Sequence, residues 1–385
     1  MKIVNVVGAR PNFIKIAPLI REMRRHEDIA AMLVHTGQHY DTEMAGRFFE
    51  DLQISPPDVS LEVGAGSHAF QTAEIMKRLE PVLLRERPDL LLVVGDVNST
   101  VASALTAVKL QIPVAHVEAG LRSFDRTMPE EINRLLTDAI SEYLFVTEES
   151  GKRNLVAEGI NPRKIFFVGN VMIDSLEASR SLWTRSNLHA QFGLQKNDYG
   201  VVTLHRPSNV DSPMVLEGLI QALLEVAQHL PLIFPVHPRT RKRLEAMESV
   251  SPNLFFEPPL SRSYGLHCLE PLGYLDFMSL VAAAKIVLTD SGGLQEETTV
   301  LGIPCLTLRE NTERPVTVTH GTNRVIGSSP ERITKEALQI LGGAQVTLCL
   351  PPLWDGHASQ RIVAILREQI GQPHSQTPAT KGSSH

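Results

Sequence analysis

Short β-branched runs alternate with longer amphipathic stretches along this chain, and the alternation occurs in two series. Runs at 3–7, 32–36, 90–94, 114–117, 143–146 and 165–168 form the first series. Between them, residues 13–25, 70–85 and 99–110 carry apolar positions at helical spacing. This is the βαβ pattern of a parallel, doubly wound sheet. The pattern pauses across 169–174 and a polar helix. It then resumes at 199–205 and continues through 232–236, 254–257, 286–289 and 305–308. The expected fold is α/β, with two Rossmann-like domains facing a cleft. The first domain is expected over 1–170 and the second over 171–355. A C-terminal helix over 356–370 should return to the first domain, and 371–385, which lack apolar content, should be disordered. A chain of 385 residues is long enough for two packed cores.

Ligands of such sheets bind beyond the carboxyl ends of the strands, and the unusual polar residues gather there. The most informative segment is L-T-D-S-G-G-L-Q-E-E, residues 288–297. A buried strand should pass into a helix, with Asp290 and Ser291 available as caps and Gly292 and Gly293 admitting a close ligand. The resulting helix N-terminus suits a phosphate, and Glu296 or Glu297, about one turn inside, can reach ribose hydroxyls. After the first strand, G-A-R-P-N-F-I-K places Arg10 in the turn and Lys15 one turn into a helix. G-D-V-N-S-T places Asp96 at the same edge, E-A-G-L-R-S places Glu118 there, and M-P-E-E-I-N-R opens a helix with Glu130 and Glu131. Each has a structural explanation alone, a cap for Asp96 or the helix dipole for Glu130 and Glu131. Together they suit acid/base work, because like charges held close raise some pKa values. The second half adds His205 and Arg206, then His237 and Arg239 in P-V-H-P-R-T, then Glu313, Arg314 and Pro315 in R-E-N-T-E-R-P. Cations from both halves suit a diphosphate.

Composition narrows the classes further. A net charge of −6 gives no electrostatic case for nucleic acid or a membrane surface. The chain starts directly on a strand without an export leader, and no apolar run is long enough to span a bilayer, so a cytoplasmic protein is expected. Cys268, Cys305 and Cys349 lie far apart and are expected to be reduced thiols. No H-E-x-x-H, D-x-D or Cys/His cluster points to a metal. The first turn, G-A-R-P, lacks the G-x-G-x-x-G of dinucleotide oxidoreductases.

The set G-A-R-P-x-x-I-K, T-G-Q-H, G-D-x-N-S-T, H-V-E-A-G-L-R-S, M-P-E-E-I-N-R, L-T-D-S-G-G-x-Q-E-E and T-E-R-P resembles the non-hydrolysing UDP-N-acetylglucosamine 2-epimerases. The resemblance runs in order over 2–366. It implies a GT-B-type fold, a homodimer, and reversible conversion of UDP-N-acetylglucosamine to UDP-N-acetylmannosamine without cofactor or metal. It also implies catalytic roles for Asp96, Glu118, Glu130 and His205, with Glu131 beside them. Substrate contacts are implied for Arg10, Lys15, Asp96, Glu118, His205, Leu272, Phe277, Ser291, Gly292, Gly293, Glu297 and Arg314. Leu272 and Phe277 would surround the uracil. The chain departs from the pattern at 261–269, an apparent insertion between two E-P motifs whose turn-rich composition is expected of a dispensable surface loop. Some bacterial members carry a second, activating site; Gln38 and His237 match it, whereas Asp41 stands where a glutamine is expected.

The residues suit the implied chemistry. Inversion at C2 needs a base on one face and an acid on the other, while cations and a helix N-terminus stabilise departing UDP. A GT-B glycosyltransferase, a hydrolysing 2-epimerase, a same-family epimerase of a UDP-diacetamido-uronate and a non-catalytic nucleotide-sugar sensor stay open as alternatives.

Overall fold

A computed structural model describes residues 1–37, 54–248, 253–258, 264–344 and 349–371, and the side chains of Arg10 and Arg239 fall outside the described set. Gln38 and Asp41 also lie outside the described residues, as do 261–263 and 372–385.

The strands are β1 (Lys2–Val7), β2 (Ala30–His35), β3 (Val59–Ser60), β4 (Leu90–Val94), β5 (Val114–Val117), β6 (Tyr143–Val146) and β7 (Ile165–Phe167). A second set follows: β8 (Gly200–Thr203), β9 (Leu232–Pro235), β10 (Leu254–Phe255), β11 (Leu266–Leu269), β12 (Ile286–Thr289), β13 (Cys305–Thr307) and β14 (Asn323–Val325). Among the described residues they form two seven-stranded sheets, ordered β3-β2-β1-β4-β5-β6-β7 and β10-β11-β9-β8-β12-β13-β14. All pairings are parallel. Each sheet reverses its winding once, between β1 and β4 in the first and between β8 and β12 in the second. Connections leave to opposite faces at those points and open a crevice at the strand carboxyl ends. Two Rossmann-like units result, the GT-B arrangement.

Central strands such as Leu90–Val94 are buried throughout, as parallel strands covered on both faces must be. One apolar cluster runs from Ile3, Leu92 and Phe145 through Val171 and Leu176 to Val201 and Val287, so the core is continuous between the sheets. Ile362 and Leu366 of the helix Ala358–Gly371 join it. Asp174, from the helix Val171–Ala178, caps that C-terminal helix by accepting from the Ala358 amide at 3.0 Å and the Ser359 amide at 2.7 Å. Gly169 has φ +87°, and any Cβ there would run into the Leu353 carbonyl. No described helix is long and apolar enough to cross a membrane.

The structure corrects the expectation of a surface loop at 261–269. Leu266–Leu269 are fully buried as β11, between β9 and β10. His267 interrupts the apolar run and hides the strand in the sequence, yet it is buried, with its ring stacked on Phe255 at 5.0 Å. Tyr264 is exposed.

Candidate active site

The reversal point of the first sheet gathers its carboxylates. Gly95, with φ +70°, turns the chain out of β4 and presents Asp96. Arg134 Nη1 donates to Asp96 Oδ2 at 2.5 Å. Arg134 is buried in the helix Pro129–Ile140 and also donates to Glu131 Oε2, from Nε at 3.0 Å and Nη2 at 2.5 Å. Glu131 further accepts from the Ser123 amide at 3.0 Å, the Ser123 hydroxyl at 3.1 Å and the Phe124 amide at 3.0 Å. Burial would raise the Glu131 pKa, but the Ser123 amide and Arg134 outweigh it and hold the carboxyl below its ordinary value. Both oxygens are committed, so Glu131 ties the 120–128 loop to its helix and is poorly placed to exchange protons. Glu130, one residue earlier, is half-buried and takes no hydrogen bond or ion pair among the described residues.

Glu118 follows β5 with φ +75°, a left-handed conformation that costs a residue with a Cβ on the order of 1–3 kcal/mol. Such strain persists where surrounding bonds over-determine it. Here the Glu118 amide donates to the Phe145 carbonyl at 3.1 Å, and the buried side chain is gripped at both oxygens. Lys15 Nζ, buried in the helix Arg10–Met23, donates to Oε2. Arg314 Nη2, from the second unit, donates to Oε1 at 2.6 Å.

The second sheet presents its residues at its own reversal point. His205 follows the end of β8 by two residues, and its Nδ1 lies 2.7 Å from Asp290 Oδ1. Asp290, expected as a possible helix cap, instead faces the β8 turn. It accepts from the His205 and Arg206 amides at 3.0 and 2.9 Å and from Asn209 Nδ2 at 3.1 Å. Burial raises its pKa, but His205 and the amides overcome that and leave it lowered. Ser291 caps the helix Gly292–Leu301 by accepting from the Leu294 amide. A Cβ on Gly292 would lie 2.5 Å from Arg314 Nη1, so only glycine lets the guanidinium approach. Arg314 also pairs with Glu313, which Arg309 Nη2 reaches at 2.8 Å. Despite burial, the Glu313 pKa is far below normal because Arg314 and Arg309 flank it.

Glu296 and Glu297 differ from these. Burial raises both, Glu297 to about 8. Tyr274 donates to Glu297 Oε1 at 3.1 Å. Arg314 Nε lies 2.8 Å from Glu296 Oε1 without hydrogen-bond alignment. Leu272 and Phe277 are partly buried beside the core. His237 is exposed after β9.

Four groups escaped the sequence analysis. Arg134 had a signal, standing three residues after Glu131 on one helix face. Tyr274, the orientation of Asp290, and Glu148 had none. Glu148 follows β6, and burial raises it to about 7, with the Glu296 charge adding and Ser150 and Arg314 opposing. No group of three His, Cys, Asp or Glu residues arranged to hold a metal occurs among the described residues. Carboxylates from one sheet thus face a helix N-terminus and cations supplied largely by the other. That arrangement can bind a diphosphate and move protons on a group attached to it.

A family model described as UDP-N-acetylglucosamine 2-epimerase matches residues 21–367. A UDP-N-acetylglucosamine 2-epimerase homolog of Methanococcus maripaludis is 47% identical over 369 residues, spanning 95% of this chain and 99% of its own. The crystal structure of Methanocaldococcus jannaschii UDP-GlcNAc 2-epimerase in complex with UDP-GlcNAc and UDP superimposes with a TM-score of 0.85 at 42% identity, covering 96% of this chain and all of that one. A UDP-2,3-diacetamido-2,3-dideoxy-D-glucuronate 2-epimerase of Pseudomonas aeruginosa is 39% identical over 346 residues, 89% of this chain and 93% of its own.

Proposed function

The chain belongs to the UDP-N-acetylglucosamine 2-epimerase family, and from that premise we propose that it interconverts UDP-N-acetylglucosamine and UDP-N-acetylmannosamine. The observation that carries this proposal is the Glu118 carboxylate, held by Lys15 from one unit and Arg314 from the other. A substrate diphosphate is a competing anion for both cations, and its arrival frees Glu118 beside the sugar. His205 and the N-terminus of the helix Gly292–Leu301 complete the diphosphate site, and Glu297 with Tyr274 meets the ribose. Arg10 belongs to the same site by motif.

Asp96, Glu118 and Glu130 divide the proton work. A carboxylate takes the C2 proton while the C1–O bond to UDP breaks on the opposite face, giving 2-acetamidoglucal and UDP. A carboxyl then delivers a proton to the other face of C2 as a UDP oxygen rejoins C1. Nothing is oxidised or hydrolysed, and the cations stabilise charge as UDP departs. Glu131 has a positioning role.

Incubation in D₂O with UDP-N-acetylglucosamine tests this. Deuterium should appear at C2 of both epimers with UDP attached. Retention of the C2 proton would point to transient oxidation, and free N-acetylmannosamine with stoichiometric UDP to hydrolysis. The 39% identical relative favours one other substrate, a UDP-diacetamido-uronate undergoing the same C2 inversion. Parallel incubations with the two sugars decide between them.

A further inference from the structure

His116 lies in β5 with no exposed surface, and the chemistry above does not call on it. Its Nδ1 is 2.6 Å from Asp138 Oδ1, and its Nε2 is 2.8 Å from the Gly95 carbonyl oxygen. Both partners are acceptors, so both ring nitrogens donate. Asp138 is buried as well, and its Oδ2 accepts from the Gly120 amide at 3.0 Å and forms an ion pair with Arg122 Nη2 at 2.7 Å. This unit therefore ties together the two turns that carry Asp96 and Glu118. Gly95, Glu118 and Gly120 all have positive φ, of +70°, +75° and +78°. Glycine takes such angles freely, so at Gly95 and Gly120 the hydrogen bonds are what fix the turns, whereas Glu118 is held there against its local preference. The Gly95 carbonyl belongs to the peptide joining Gly95 to Asp96, so fixing that oxygen fixes the plane from which Asp96 departs.

Resting on the epimerase function, we propose that His116 is a positioning residue that aims Asp96 through the Gly95 carbonyl, with Asp138 orienting the imidazole and bracing the Glu118 turn. A buried histidine that merely stabilised its sheet would make both bonds too. The two bonds can be separated by isosteres. His116→Gln keeps a donor near the Nε2 position, toward Gly95. His116→Asn keeps one near Nδ1, toward Asp138.

Turnover, KM and melting temperature are measured for both variants, with wild type and Asp96→Asn in parallel, together with amide exchange of residues 95–97. His116→Asn should lose roughly 10- to 100-fold in kcat, the scale of a misplaced catalytic group, with KM little changed and exchange at 95–97 faster. His116→Gln should keep most of kcat and slow exchange, even if its melting temperature falls. Losses of kcat that track melting temperature in both variants, or wild-type kcat and exchange in His116→Asn, would overturn the proposal. A wild type inactive on both sugars would remove the epimerase function, while the exchange contrast would still decide the positioning. Should a variant fail to fold, nitrogen NMR of histidine-labelled wild type remains. His116 should carry protons on both nitrogens, and a bare Nε2 would refute the bond to Gly95.

Discussion

Asp96, Glu118, Glu130 and Glu131 share a charge type and one edge of the first sheet, yet their partners differ. Glu130 is unpaired among the described residues, Asp96 has one guanidinium contact, Glu118 is held by two cations, and Glu131 is saturated. Under the proposed function, Asp96→Asn, Glu118→Gln and Glu130→Gln should each lower turnover at least ~100-fold, the lower range for acid/base groups. Glu131→Gln should act through stability. Its new amide would face N–H donors, a mismatch costing about 1–3 kcal/mol, to be seen in a denaturant midpoint. Turnover near wild type in all of the first three would remove the mechanism. Glu297 makes a prediction about pH. Its folded pKa of about 8 lies above the ordinary 4.5, so its contribution to stability is fully present below 4.5 and is lost as pH rises through 8. The penalty at high pH is at most about 5 kcal/mol. Melting temperature in the ligand-free protein should therefore fall across that window, and Glu297→Gln should flatten the fall. An unchanged pH profile in the variant would show that Glu297 titrates normally.

At the level of elements, strands covered on both faces were legible because each needs an uninterrupted apolar run, as in L-L-L-V-V at β4. Three strands were not. Val59–Ser60 and Asn323–Val325 are short outermost strands whose pairing is decided by tertiary context. Leu266–Leu269 is disguised by His267, whose polar nitrogen finds the Glu257 carbonyl 3.2 Å away only after folding. Deletion of 264–269 would remove a strand from between two others, so it should leave the protein insoluble. A soluble, cooperatively folding deletion would show that β9 and β10 can dispense with it. The final helix was legible from its periodicity, but its cap was not, because Asp174 lies 184 residues before Ala358. Asp174→Ala should cost about 1–2 kcal/mol, the upper part of the range for a lost cap, measured by urea unfolding.

Across the whole molecule, the sequence placed the carboxylates at one sheet edge and most of the cations at the other, since strand order sets which loops converge. It did not say which charges would pair. Glu118 and Arg314 are 196 residues apart, and no local pattern links them. That pair joins the two units at the point where the proposed diphosphate binds, so substrate and Glu118 compete for Arg314 and Lys15. Glu118→Gln should therefore separate affinity from turnover. Without the carboxylate, buried Lys15 loses its partner and Arg314 loses one of three in the ligand-free protein, which should lower its stability, as expected when one member of a buried pair is removed. UDP then meets cations from which the Glu118 carboxylate need not be displaced. Its affinity should rise by about tenfold, corresponding to about 1.4 kcal/mol, even as turnover falls. Titration calorimetry with UDP on wild type and Glu118→Gln reads this directly. Arg314→Ala should shift affinity the other way, because it removes a binding cation and leaves Glu118 with Lys15 alone. Equal or weaker UDP binding by Glu118→Gln would mean that the diphosphate does not displace this carboxylate, and that the pair holds the two units together in both states.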